Sequence, residues 1–212
     1  MISVIFDMDG TLLDTQRICI PAWTFAGEKQ GFKDLGKNIP IVCGMNQAGW
    51  SQYLKDNYPD LDIDMFIKDS RKYIAENLIV KFKKGGEELL KFLNENNIKV
   101  GLASGSSTMT IDRYMSALNI DKAKVFDAIV GGETVENGKP EPDIFLQTAK
   151  LLETEPEDCI VFEDSPNGVK AAVAAGMRCI GIPDVAEFKP EIKKLLYKEL
   201  KSLDEAIGIL LI

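Results

Sequence analysis

The stretch Ile2-Ser3-Val4-Ile5-Phe6-Asp7-Met8-Asp9-Gly10-Thr11 joins a short, largely apolar run to a glycine-containing turn that carries two carboxylates. The run does not alternate cleanly, as expected of a strand buried on both faces of a parallel sheet. Similar runs recur at residues 98–103, 126–130, 159–162 and 179–182. Stretches of helical period lie between them. Residues 86–96 place Leu89, Leu90 and Leu93 on one face; residues 107–118 offer Met109, Ile111, Met115 and Leu118; residues 142–152 offer Ile144, Phe145, Leu151 and Leu152. Strand and helix in alternation predict an open α/β sheet with right-handed crossovers.

The alternation breaks once. Residues 15 to 82 hold no convincing strand, and their best helices are 22–29, 47–57 and 65–77. Turn formers such as Gly36-Lys37-Asn38-Ile39-Pro40 and Asn57-Tyr58-Pro59-Asp60 separate these helices. The expectation is a Rossmann-like parallel-sheet core sandwiched by helices, built from residues 1–14 and 83–212. A small all-α cap of residues 15–82 is inserted after the first strand.

Composition narrows the chemistry. The 212 residues are 45% apolar and include no histidine, which excludes Ser-His-Asp and Cys-His catalysis and His-ligated zinc. With 25 basic against 33 acidic residues the net charge is −8, so no nucleic-acid partner is expected. Cys19, Cys43, Cys159 and Cys179 show no C-x-x-C spacing and fit a reducing compartment. No basic segment leads into a long apolar stretch, and the apolar tail at 207–212 is too short to span a bilayer. A cytoplasmic, monomeric protein without a membrane partner is expected.

Four motifs follow predicted strands or open helices, and in a parallel sheet those strand ends share one edge. Asp7 and Asp9, two apart in an extended segment, can face one site, one as nucleophile and the other as acid and base. Ala103-Ser104-Gly105-Ser106-Ser107 offers hydroxyls and backbone N–H groups to an anion, or simply a helix cap. Gly138-Lys139-Pro140-Glu141-Pro142-Asp143 holds a lysine in a rigid setting. Val161-Phe162-Glu163-Asp164-Ser165 adds two more carboxylates. Two like charges about 4 Å apart repel by roughly 4 kcal/mol at an effective dielectric of 20. Converging carboxylates therefore call for a hard cation, and Mg²⁺ suits an oxygen-only ligand set. Nucleophile, acid/base, hydroxyl, lysine and cation together make a phosphoryl-transfer site.

The order of these motifs, D-x-D-G-T-L-x-D-T, S-G-S, G-K-P-x-P-D-I-F and F-E-D-S-x-x-G, resembles the haloacid dehalogenase-like superfamily along the whole chain. The resemblance is to its helical-cap subgroup of β-phosphoglucomutases and sugar-phosphate phosphatases. It implies Asp7 as the nucleophile forming an aspartyl-phosphate, Asp9 as acid and base, and Ser104 and Lys139 on the phosphoryl oxygens. It also implies Mg²⁺ held by Asp7, the Asp9 carbonyl, Asp164 and Glu163. Thr11, Gly105 and Ser106, with Gly44 and Gln47 from the cap, are expected at the substrate, a small phosphorylated metabolite. The dehalogenases and phosphonatases lack the second Asp.

Departures from the subgroup bear on the acceptor. Where β-phosphoglucomutases carry a cap histidine this chain has Cys19, and in place of their Lys-Gly-x-x-Arg run it reads Cys43-Gly44-Met45-Asn46-Gln47. A mutase must hold a second phosphate by charge-assisted contacts, so the loss favours water as acceptor and a phosphatase. Lysines elsewhere in the cap, such as Lys72, could compensate. Trp23 and Trp50 are expected to pack the cap, and Lys81, Lys83 and Lys84 to form a solvated charged helix start. A phospho-receiver module uses the same inventory but has no place for the insertion.

Overall fold

The first strand, β1 (Ser3–Phe6), is buried along its whole length. In the computed structural model, which describes residues 2–210, it lies at the middle of a six-stranded, all-parallel sheet. The others are β2 (Lys99–Ser104), β3 (Ala128–Gly131), β4 (Cys159–Glu163), β5 (Arg178–Gly181) and β6 (Lys198–Glu199), in the order β3-β2-β1-β4-β5-β6. This is the expected Rossmann-like α/β fold. The strand order reverses at β1, which pairs β2 on one side and β4 on the other. The carboxyl ends of these three strands therefore meet at the switch point, where such sheets bind ligands.

Seven helices of nine residues or more are described: α1 (Cys19–Glu28), α2 (Gln47–Asn57), α3 (Ile63–Asn77), α4 (Gly86–Glu95), α5 (Thr108–Ala117), α6 (Asp143–Leu151) and α7 (Pro166–Ala174). Each face of the sheet has its own core. Val4 and Phe6 pack with Leu89 and Leu93 of α4 and Ile111 and Met115 of α5. Ile5 points the other way, to Phe145 and Ala149 of α6 and Val169 and Ala172 of α7. Phe6 stacks on Phe162 of β4 at 5.1 Å between ring centroids.

Two expected core residues lie outside it. Met109 and Leu151 are 81% and 54% exposed. A helix turns about 100° per residue, so Met109, two before Ile111, faces nearly opposite. Tyr114 is buried in the helix instead, and in α6 Thr148 and Ala149 are buried between Phe145 and Leu152. Strand β6 was not anticipated, being two exposed charged residues whose backbone pairs with Ile180 and Gly181. Residues 211–212 of the apolar tail lie outside the described residues.

Helices α1, α2 and α3 surround a third core of Trp23, Leu35, Leu54 and Phe66, separate from the two sheet cores. Trp23 meets Phe66 edge-on at 5.2 Å and Trp50 at 5.3 Å, so both tryptophans pack the helices as expected. The chain leaves the sheet side by side with its return: the Asp14 N–H donates to the Lys81 carbonyl and the Lys83 N–H to that of Leu12, both at 2.9 Å.

Candidate active site

Because Phe6 of β1 pairs with Phe162 of β4, the next residues of both strands emerge together. The Asp7 N–H still donates to the Phe162 carbonyl at 3.0 Å, fixing the point where the nucleophile candidate leaves the sheet. Asp7, Glu163 and Asp164 are buried, and each offers an oxygen within 4.8 Å of the others. Lys139, reaching in from before α6, donates from Nζ to Asp7 Oδ1 and Glu163 Oε1, both at 2.6 Å, and to the Ala103 carbonyl at 3.3 Å. Its ammonium also lies 4.8 Å from the centre of the Phe145 ring.

Burial pushes the Asp7 carboxyl up to about 7, with Lys139 opposing and the Glu163 charge reinforcing the rise. The same burial works against a charged Lys139, but Asp7 and Glu163 overcome it and hold the ammonium above its ordinary value. For Asp164, burial and then the Glu163 and Asp7 charges raise the carboxyl well above 3.8, while the Thr11 hydroxyl, 3.0 Å from Oδ1, partly resists. Its Oδ2 is buried without a hydrogen-bond partner. Three clustered carboxylates, two of them on one ammonium and the third with an oxygen left bare, fit an oxygen-ligated divalent cation. The cluster can hold a metal.

Local sequence builds this crowding. Ser165 caps α7 by accepting from the Gly168 N–H at 3.0 Å, while its own N–H and hydroxyl donate to Glu163 Oε2 at 2.9 and 3.0 Å. A Cβ on Gly168 would stand 1.7 Å from Glu163 Oε1, so only glycine lets the helix start sit over that carboxylate. Gly10, at φ +90°, leaves room for Asp164, whose Oδ2 would be 2.4 Å from an added Cβ.

Asp9 is held apart from this cluster. Its Oδ1 accepts from the Thr15 hydroxyl at 2.5 Å, and its Oδ2 from those of Ser106 at 2.8 Å and Ser104 at 3.4 Å. The Ser106 N–H turns back onto Ser104 Oγ at 3.1 Å. The serine loop, Asp9 and the Lys139 centre thus share one edge of the sheet.

A strip of the helical insertion covers this floor. An added Cβ on Gly105 would come 2.9 Å from the Met45 carbonyl and 3.1 Å from that of Gly44. Asn167 donates from Nδ2 to the Ile41 and Cys43 carbonyls at 3.1 and 3.0 Å, and Asn46 donates to the Gly132 carbonyl at 3.2 Å. Gln47 is exposed at the start of α2, where its Oε1 accepts from Arg71 Nη2 of α3 at 2.6 Å. Burial, then Asp164, Glu163 and Asp7, raise the Cys43 thiol well above its ordinary value and keep it neutral. Burial and Asp9 push Cys19 up to about 12. Thr15, Asn46, Arg71 and Asn167 were not among the expected site residues. Thr15 and Asn167 stand inside quoted motifs, and Asn46 and Arg71 carried no signal of their own.

The family model for haloacid dehalogenase-like hydrolases matches residues 4–182. The chain belongs to that family. Among its relatives, a phosphorylated carbohydrates phosphatase of Thermotoga maritima is 34% identical over 186 residues, covering 85% of this chain and 84% of the relative. A β-phosphoglucomutase of Bacillus subtilis is 31% identical over 199 residues, covering 86% and 83%. The solved structure of a β-phosphoglucomutase from Clostridium difficile is 28% identical and superposes with a TM-score of 0.80 over 97% of this chain and 93% of its own. Membership in the haloacid dehalogenase-like hydrolases sets the phospho-receiver alternative aside. Among the described residues no helix is long and apolar enough to cross a membrane.

Proposed function

We propose that this haloacid dehalogenase-like hydrolase is a Mg²⁺-dependent phosphatase of a small phosphomonoester, a sugar or polyol phosphate. What carries the reading is the buried pairing of Asp7 with Lys139 beside a separately held Asp9. Asp7, the Asp9 carbonyl and Asp164, with Glu163 direct or through water, would hold Mg²⁺. When bound, the ion offsets the charge of the carboxylates and of the phosphoryl oxygens.

With Oδ1 engaged by Lys139, Asp7 Oδ2 attacks phosphorus. A P–O bond forms to Asp7 as the ester P–O bond breaks, and Asp9 gives its proton to the departing alkoxide. Water then attacks the aspartyl-phosphate, Asp9 takes its proton back, and the bond to Asp7 breaks to release phosphate. Lys139, Ser104 and the Gly105 amide steady the phosphoryl oxygens, with Ser106 bracing Ser104 and Asp9 beside them and Thr11 holding Asp164. Residues 15–82 act as a cap, with Gly44 and Gln47 toward the leaving group, closing over the site for the transfer and admitting the water that completes it.

The cap supports water as acceptor. Cys43 and Gln47 stand where β-phosphoglucomutases carry cations, and the Cys43 thiol is neutral. Arg71 beside Gln47 is the specific feature that favours the mutase alternative, since it returns one positive charge to that strip. A phosphorus NMR time course with Mg²⁺ decides between them. β-Glucose 1-phosphate with a trace of the 1,6-bisphosphate is offered beside other sugar phosphates. Inorganic phosphate released by the wild type and not by Asp7→Asn is expected. Glucose 6-phosphate without free phosphate would make the protein a mutase.

A further inference from the structure

Where the chain passes between sheet and helical insertion, the surface opens into a cavity of about 680 Å³. Arg17 of the outgoing connection, Lys81, Lys83 and Lys84 of the returning one, and Lys201 beyond β6 all line it. None of the residues assigned to the phosphoryl-transfer site does. Lys81 pairs with Asp14 at 3.2 Å and Lys84 with Asp204 at 2.8 Å. Arg17 and Lys83 share a single oxygen, Oδ1 of the fully buried Asp184, at 2.6 and 2.8 Å. The Lys201 ammonium has no acidic partner among the described residues.

Counting Glu205, whose Oε2 accepts from the Lys201 N–H at 3.3 Å, five cations meet four carboxylates, of which only Asp14 lines the cavity, in a protein whose net charge is −8. Surface charges scattered for solubility would mix signs. Here three separate segments of chain bring five cations against one lining carboxylate, Asp14, into a concavity, where the low-dielectric wall focuses the potential. Arg17, Lys81 and Lys84 have exposed side chains on flexible stems, able to turn onto a ligand. Asp184, being buried, cannot follow them out.

We propose that this cavity is a second anion-binding site, for a compact metabolite carrying two phosphate-type groups. Cations drawn from three segments of chain can engage two anionic groups at once, which a single monoanion does not offer. Contacts to Arg17, Lys81 and Lys201 would tie both connections to the sheet.

The probe is methylenediphosphonate, whose P–C–P bridge does not hydrolyse. It is titrated into the full chain with and without Mg²⁺ while backbone amide resonances are followed. Saturable shifts are expected at residues 81–84 and 201–203. In a Lys81→Gln/Lys84→Gln/Lys201→Gln variant the affinity read there falls about tenfold or more, each exposed charge contributing modestly, while the titration at residues 104–106 is unchanged. The three side chains are at the surface, and an otherwise unchanged spectrum checks the fold. Shifts confined to residues 104–106, equal titration in the variant, or a drift that sodium chloride reproduces at equal ionic strength each overturn the site. No turnover enters the measurement, so its failure is separate from failure of the phosphatase reading.

Discussion

In the carboxylate centre Asp7, Lys139 and Glu163 are fixed by a strand end, a helix cap or a buried ion pair, whereas residues 41–47 are held over it by amide side chains gripping backbone carbonyls. The first arrangement depends on the identity of each side chain. The second depends on main-chain oxygens that any sequence supplies. The floor is thus constrained to one chemistry, while strip residues other than Gly44 and Asn46 can vary without losing that support. Cys43 and Gln47, at positions where β-phosphoglucomutases carry cations, are what such variation produces.

The hardest test of this contrast is Lys139→Met. Removing one partner of a buried ion pair costs about 3–5 kcal/mol, because the other charges stay behind. Here two carboxylates, Asp7 and Glu163, would lose their ammonium. Both a large drop in unfolding free energy and about a 10³-fold loss of phosphate release are expected. A variant that kept either property would break the picture of a rigid floor.

Metal addition probes the same centre. A carboxyl raised from 3.8 to about 7 in the folded protein binds a proton that the unfolded chain has already released. Stability from Asp7 is therefore present below about pH 4 and lost as pH rises toward 7 in the metal-free protein. Mg²⁺ substitutes for the proton, so its effect on the melting temperature should be larger at pH 8 than at pH 5.5. An equal or smaller rise at pH 8 would sink the cluster as a cation nest.

The strip should respond more mildly. Asn167→Ala removes two hydrogen bonds to carbonyls, each worth about 1 kcal/mol. A rise in KM of roughly fivefold or more is expected, with kcat changed less, and Asn167→Asp should fail to rescue because an acceptor now faces two acceptors. A collapse of kcat matching that of Lys139→Met would place Asn167 in the floor. Arg71→Gln is the smallest change. A loss of about 1 kcal/mol or less in kcat/KM for phosphorylated substrates is expected, from an exposed guanidinium. No dependence on substrate charge would remove Arg71 from the substrate's surroundings.

How legible each part was follows from where its interactions run. Asp7, Asp9, Glu163 and Asp164 stood out as carboxylates at strand ends, and Lys139 as a lysine fixed between turn formers just before α6, the residue types expected of phosphoryl transfer. Helix α2, Gln47–Asn57, has the bounds its turn formers and period imply. The edge strand β6 did not stand out: two charged, exposed residues carry no apolar pattern, and only the neighbouring backbone defines them. Met109 and Leu151 misled because apolar content outweighed helical phase. Asn167 reaches carbonyls 124 and 126 residues away, and Arg71 reaches a glutamine 24 residues back. Nothing local in the sequence announces such long-range polar contacts. The lysines at 81, 83 and 84 read as a solvated helix start until Arg17 and Lys201 are seen beside them.

The paired connections at Asp14–Lys81 and Leu12–Lys83 have a consequence for the chain as a polymer. Everything between them is a closed loop whose two ends are pinned within one hydrogen bond of each other. The entropy of closing such a loop grows only logarithmically, so doubling its length costs about 0.6 kcal/mol. Insertions of other lengths could hang from the same stalk while β1 still found β2 and β4, leaving the sheet a durable chassis for interchangeable insertions.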